Sequence, residues 1–88
     1  GFSPQYNFKK ALKIPAGFIE IHLDVHKGYI EKAKIFGDFF ASKPIEELES
    51  ALIGQKHDIA HLTAWLDQQD LTAYFGKVST SELLELFK

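Results

Sequence analysis

Phe18-Ile19-Glu20-Ile21-His22-Leu23-Asp24-Val25 is the stretch whose reading decides the fold. Ile19, Ile21, Leu23 and Val25 alternate with Glu20, His22 and Asp24, and a period of two sends successive side chains to opposite faces of a β-strand. The alternation predicts a half-buried strand with its aliphatic set turned inward. Lys27-Gly28 follows, where glycine supplies the positive φ that a tight hairpin requires, and Tyr29 to Phe36 is the returning strand. Upstream, Phe8, Leu12 and Ile14 share one face of an extended run while Lys9 and Lys13 point the other way. This first strand is expected at a sheet edge, where lysines discourage further pairing. Pro15-Ala16-Gly17 turns the chain between the two runs, so the first half reads as an antiparallel three-stranded meander.

From Ser42 the apolar period lengthens to that of a helix. Lys43-Pro44 places proline in a first turn, Ile45, Leu48 and Leu52 fall on one face, and Gly54 is a C-terminal cap. A second helix is expected from Asp58 as N-cap, with Ile59, Leu62 and Leu66 as its inner stripe and Trp65 beside them. Asp70 can cap a short third helix through Tyr74, ended by Gly76. Ser79 and Glu82 have capping-box spacing, in which each side chain satisfies a backbone N–H of the first turn, and Leu83, Leu84, Leu86 and Phe87 follow. Strands in a run and then helices in a run predict an α+β fold: two layers, with three to four helices on one face of the sheet. Residues 8–88 form a single domain in this reading. Residues 1–7, with Ser3-Pro4, read as a junction from an upstream domain.

Composition narrows the function. The 88 residues leave room for one core, and an apolar content of 45% with eight Phe is enough to form it without crosslinks. Twelve acidic against ten basic residues give a net charge of −2, which supplies no footprint for nucleic-acid phosphates or an anionic membrane. No apolar run approaches a membrane span, and no secretion signal is seen, so a cytoplasmic setting is expected. Absence of cysteine removes disulfides, thiolate metal sites and thiol nucleophiles. Methionine is absent too, and the chain is expected to be a fragment or processed piece of a longer product.

The candidate chemistries are thin. His22 and His26 on one strand stand roughly 13 Å apart, too far to share an ion. His57 and His61 have helical i, i+4 spacing, but with Asp58 as N-cap His57 falls outside the helix, and the expectation is a solvated helix start rather than a metal site. Glu46, Glu47 and Glu49 read as a solvated charged run. Ser79 is explained by capping, which leaves the Ser79-Thr80-Ser81 hydroxyls without an activating base. No glycine-rich phosphate loop occurs. Asp38 after Gly37, followed by Phe39 and Phe40, could be an acid on a tight loop, yet a turn aspartate bonding backbone N–H groups beside two core aromatics is the stronger reading. The residues describe a module without catalytic residues, metal ligands or cofactor grips of its own.

The segment Gly28-Tyr29-Ile30-Glu31-Lys32-Ala33-Lys34-Ile35-Phe36-Gly37-Asp38-Phe39-Phe40 resembles the characteristic segment of the C-terminal domain of bacterial lipoate–protein ligases. Ile45 to Gly54, ending in Leu52-Ile53-Gly54, is similar to a helix of that family. Tyr74-Phe75-Gly76 and Ser79-Thr80-Ser81-Glu82-Leu83-Leu84 are similar to its closing segments. Ser3-Pro4-Gln5-Tyr6-Asn7 and Pro15-Ala16-Gly17 resemble the junction from the catalytic domain. The likeness covers essentially the whole chain. It implies an accessory domain of an enzyme that uses ATP, Mg and lipoate to form lipoyl-AMP and passes the lipoyl group to a lysine of lipoyl-accepting proteins. The partner implied is the catalytic domain of that ligase, with docking expected through the turns Gly37-Asp38-Phe39-Phe40 and Tyr74-Phe75-Gly76. Two alternatives stand beside it: a stand-alone subunit of a split ligase, and a non-catalytic protein-interaction module unrelated to lipoate.

Overall fold

The central strand of the sheet is β2 (Gly17–His26), flanked by β1 (Phe8–Ile14) and β3 (Tyr29–Gly37) in the order β1-β2-β3. In the computed structural model, residues 6–15, 17–39 and 41–88 are described. Both pairings are antiparallel, with Ile21 facing Lys10 on one side and Ile35 on the other. Ile19, Ile21 and Leu23 are wholly buried, whereas Glu20, His22 and Asp24 are only partly covered on the opposite face. Lys27 and Gly28 both have positive φ, 54° and 84°, the signature of a two-residue type I′ hairpin. Lysine thus joins glycine in the left-handed region, which the sequence reading had asked of Gly28 alone.

One irregularity sits in β3. Val25 faces Ile30 but Asp24 faces Lys32, so Glu31 is an extra, bulged residue. The bulge reverses the parity of the strand, which lets Ile30 and Ile35 both turn inward.

Helices α1 (Ile45–Leu52), α2 (Ile59–Asp67), α3 (Leu71–Phe75) and α4 (Thr80–Leu84), closed by a 3₁₀ turn at Glu85–Phe87, complete the fold. Leu48, Leu52, Leu62, Leu66, Leu83 and Phe87 join the inward residues of the sheet in one core, so the helices cover a single face as predicted. Asp58 caps α2 by accepting from the His61 N–H, and Ser79 and Glu82 form both bonds of the capping box. Gly54, with φ of 92°, lies just past Ile53 at the end of α1.

Some expectations shift. Pro44 is the N-cap residue of α1 rather than part of its first turn, because its ψ of 129° is extended. Asp70 occupies the N-cap position of α3 without a side-chain bond. Ile59, expected on the inner stripe, is exposed, since the first turn of α2 extends beyond the core. None of the helices among the described residues is long and apolar enough to cross a membrane.

The free edge of β3 is covered from two directions. Gly54 N–H donates to Ile30 O (2.7 Å), Ile30 N–H to Gln55 O (2.9 Å) and His57 N–H to Gly28 O (2.7 Å), so the α1–α2 connection pairs briefly with the hairpin end. Farther along, Glu49 Oε2 accepts from the Ile35 N–H at 2.7 Å. Glu49 is buried, and this corrects its assignment to a solvated run with Glu46 and Glu47, which are exposed. A buried carboxylate needs donors, and the unpaired N–H of an edge strand is one.

Candidate functional site

The two turns singled out in the sequence meet in space. After β3 ends at Gly37, the Asp38 N–H donates to Phe18 O (2.9 Å), which holds the outgoing chain against the start of β2. Phe39 then turns down onto Phe75 of α3, with ring centroids 5.2 Å apart in an edge-to-face arrangement. Ser42 and Lys43 both donate their N–H to Ala73 O, at 2.8 and 3.1 Å. The β3–α1 connection is therefore fastened to α3, and Gly37 to Phe39 and Tyr74 to Gly76 make one corner of the molecule.

Chemistry at this corner is chiefly packing. Tyr74 is 7% and Phe75 2% exposed, so their rings belong to the core, and the half-buried Phe39 packs against it. Tyr74 Oη lies 3.5 Å from Glu47 Oε1, and the Lys43 ammonium stands 5.8 Å from the centre of the Tyr74 ring. The solvent-facing part is formed by Gly37 and Asp38, which are exposed. Phe40 lies outside the described residues. Two glycines shape the corner. A Cβ on Gly17, whose φ is 144°, would collide with Asp38 O, and one on Gly37 would collide with the Phe39 ring and Phe18 O. The backbones of β2 and the outgoing chain approach closely because neither glycine carries a side chain.

The histidines serve separate partners. His22 Nε2 bonds Glu20 Oε2 (2.5 Å) and His26 Nε2 bonds Asp24 Oδ1 (3.1 Å), each on the outer face of β2. His57, expected to be solvated, is half-buried instead. Its Nε2 donates to Phe87 O (2.8 Å) and its ring meets Phe8 at 4.8 Å, so it locks the C-terminal turn to β1. His61 Nε2 bonds Gln55 Oε1 (2.7 Å). Among the described residues no group of three metal-ligating side chains comes together. The void inside the core, lined by Ile21, Ile35, Leu52, Trp65 and Phe87, has a volume of about 10 Å³, room for one water at most.

Glu49 and His57 are the structurally committed polar residues that the sequence reading missed. Glu49 falls with Ile45, Leu48 and Leu52 at the i, i+3, i+4, i+7 positions of one helical stripe, a signal that was present in the pattern.

Fold and corner together define a small two-layer α+β module whose conspicuous local feature is a glycine-and-aromatic junction rather than a pocket. The chain belongs to the family described as bacterial lipoate protein ligase C-terminus, matched over residues 3–87. It is 45% identical over 86 residues to lipoate–protein ligase 1 of Staphylococcus aureus, covering 98% of the chain and 26% of that protein. It is 37% identical to lipoate-protein ligase LplJ of Bacillus subtilis, with 98% and 26% covered, and 40% identical to a lipoate–protein ligase of Streptococcus pyogenes, with 98% and 25% covered. The chain thus spans about a quarter of the length of these relatives. Among solved structures, P. falciparum LipL1 in complex with lipoate shares the fold, with a TM-score of 0.66 and 19% identity over 80% of this chain and 21% of that one.

Proposed function

We propose that the chain is the accessory C-terminal domain of a lipoate–protein ligase, assisting ATP-dependent activation of lipoate to lipoyl-AMP and transfer of the lipoyl group to a lysine of lipoyl-accepting proteins. The observation that carries this reading is the match along 98% of the chain to ligases of which it represents about a quarter. The domain contributes position. The reacting groups, with ATP, Mg and lipoate, belong to the catalytic domain upstream, and a cytoplasmic setting is part of the same proposal. A domain that closes over a reactive mixed anhydride excludes water and orders neighbouring loops, which speeds activation without supplying an acid, base or nucleophile.

The corner of Gly37, Asp38 and Phe39 with Tyr74, Phe75 and Gly76 is the docking element in this reading. Phe39 and Phe75 stiffen it from beneath, and Gly37 with Asp38 meets the catalytic domain. The test is reconstitution. Adenylate formation from ATP and lipoate is measured for the full-length ligase, for a chain cut before residue 8, for the separate domain, and for the two pieces mixed. Loss on truncation with recovery in the mixture is the expected outcome. Adenylate made by the domain alone, or undiminished activity after truncation, overturns the reading.

A further inference from the structure

The sheet has a second face that the helices do not touch. Phe18 and Phe36 are 46% and 45% exposed on it. Between them and the N-terminal segment lies His22, whose ring stands 5.0 Å from Phe36 and 5.7 Å from Tyr6 in edge-on contacts. Lys9 and Lys34 face His22 from the neighbouring strands, Lys13 faces Phe18, and Lys32 faces Asp24. The result is an aromatic centre in a lysine surround on a chain whose net charge is −2. The neighbouring carboxylates are engaged by histidine, Glu20 by His22 and both Asp24 and Glu31 by His26, while Lys9, Lys13 and Lys32 form no ion pair among the described residues.

The chain also enters on this side. Asn7 clamps the main chain of Val25 through two bonds, Nδ2 to Val25 O (2.7 Å) and Oδ1 from Val25 N–H (2.8 Å), and the preceding Tyr6 rests on His22. About three quarters of the length of the Staphylococcus aureus relative lies outside the matched part. Tyr6 and Asn7 thus fasten the first described residues of the chain to the bare face of the sheet.

We infer that this face, centred on Phe18, His22 and Phe36, is the surface against which the upstream catalytic domain seats, and that the seated surface is an apolar patch edged with carboxylates. The inference rests on the accessory-domain reading and extends the docking surface from the Gly37–Asp38 corner, which adjoins Phe18, across the sheet. Aromatic side chains at the centre exclude water, and the surrounding lysines select an acidic partner and set its register.

The test uses the full-length ligase. A zero-length carboxyl-to-amine crosslinker, followed by peptide mass spectrometry, is expected to join Lys9, Lys13 or Lys32 to carboxylates of the catalytic domain. Lys56, in the connection between α1 and α2 on the helical side, serves as an internal control. In parallel, Phe36→Glu is compared with Ile53→Glu, a similarly exposed site at 52% that lies at the end of α1. Phe36→Glu should lower adenylate formation at least about tenfold while its unfolding midpoint stays within a degree or two of the parent, and Ile53→Glu should leave the rate unchanged. Interdomain links confined to Lys56, or a Phe36→Glu chain as active as Ile53→Glu, overturn the inference. Either result leaves the accessory reading intact provided that truncation before residue 8 still abolishes activation. If truncation has no effect, both fall.

Discussion

On one face of β2, Ile19, Ile21 and Leu23 are wholly buried beneath the helices; on the other, Phe18 is half exposed and His22 is held between Tyr6 and Phe36 without a covering layer. Both faces come from alternate residues of one strand, so backbone propensity cannot account for the difference. The inner face has only branched aliphatic side chains, which fill a core in well-defined rotamers. The outer face mixes two exposed phenylalanines with charged residues, a composition with no use for a core that contributes little to folding where it stands. The sheet divides its labour: one side forms the core, and the other keeps Phe18 and Phe36 exposed.

The most direct way to break that division is to shorten one side chain on each face. Leu23→Ala leaves a cavity in a site without solvent access and should cost about 3 kcal/mol, a large part of the roughly 4–13 kcal/mol expected for a domain of this size. Phe36→Ala removes a side chain that is already half exposed and should cost less than about 1 kcal/mol. Urea titration of the two variants measures both. Comparable losses would mean that the outer face is part of the folding core after all.

Gly17→Ala attacks the corner where the faces meet. The new methyl would collide with Asp38 O at a φ of 144°, so β2 and the outgoing chain must separate, at a cost of roughly 2 kcal/mol. Gly28→Ala is the control. It also has positive φ, 84°, but open space around it, and should cost only about 1 kcal/mol. Thermal unfolding that ranks the pair in the opposite order would show that backbone conformation, rather than the close approach at Asp38, decides the need for glycine.

Glu49 tests the comparison at its edge. Glu49→Ala leaves the Ile35 N–H of β3 without its acceptor and should cost about 1–2 kcal/mol, whereas Glu49→Gln keeps a carbonyl oxygen and recovers most of it. Amide hydrogen exchange at Ile35 is the sensitive readout. Protection that survives in Glu49→Ala would remove this carboxylate from the account of how the edge is closed.

The parts of this fold written in periodic patterns were legible in the sequence. Alternation in Phe18 to Val25, the Lys27-Gly28 turn, the Asp58 cap and the Ser79–Glu82 box each express a local rule, and each stands in the structure as read. What escaped depended on contacts distant in sequence. Glu49 reads as one carboxylate of an acidic run until β3 is laid beside α1 and the N–H of Ile35 is seen to need it. His57 looks like a solvated residue ahead of a helix until Phe8 and Phe87 close around it. The bulge at Glu31 left a faint trace, since Ile30 and Ile35 differ in parity and cannot both face inward on a regular strand. At the corner, pattern identified the participants but not their meeting, because Phe39 and Phe75 are brought together only by the return of α3 to the end of the sheet.

The smallest effect concerns the C-terminal turn, which belongs to the helical layer and should be indifferent to the outer face. Lys88 Nζ bonds Glu85 Oε2 at 2.8 Å, and this bond, aided by the charge of Lys88 and then of Lys10, holds the Glu85 carboxyl below the usual carboxylate range. Because the folded-state pKa is the lower one, the folded chain binds fewer protons than the unfolded chain at the same pH between the two values. The contribution is therefore complete above the ordinary glutamate pKa and is lost as pH falls through the depressed value. Glu85 is exposed, so solvent screens the pair and the gain is slight. Lys88→Ala should raise the Glu85 titration midpoint followed by carboxyl NMR, and high salt should do the same in the parent. A midpoint that moves in neither case would show that the pair contributes nothing in solution. A shift in Lys88→Ala that also altered the environment of His22 would show that the two layers communicate, which the separation of faces does not allow.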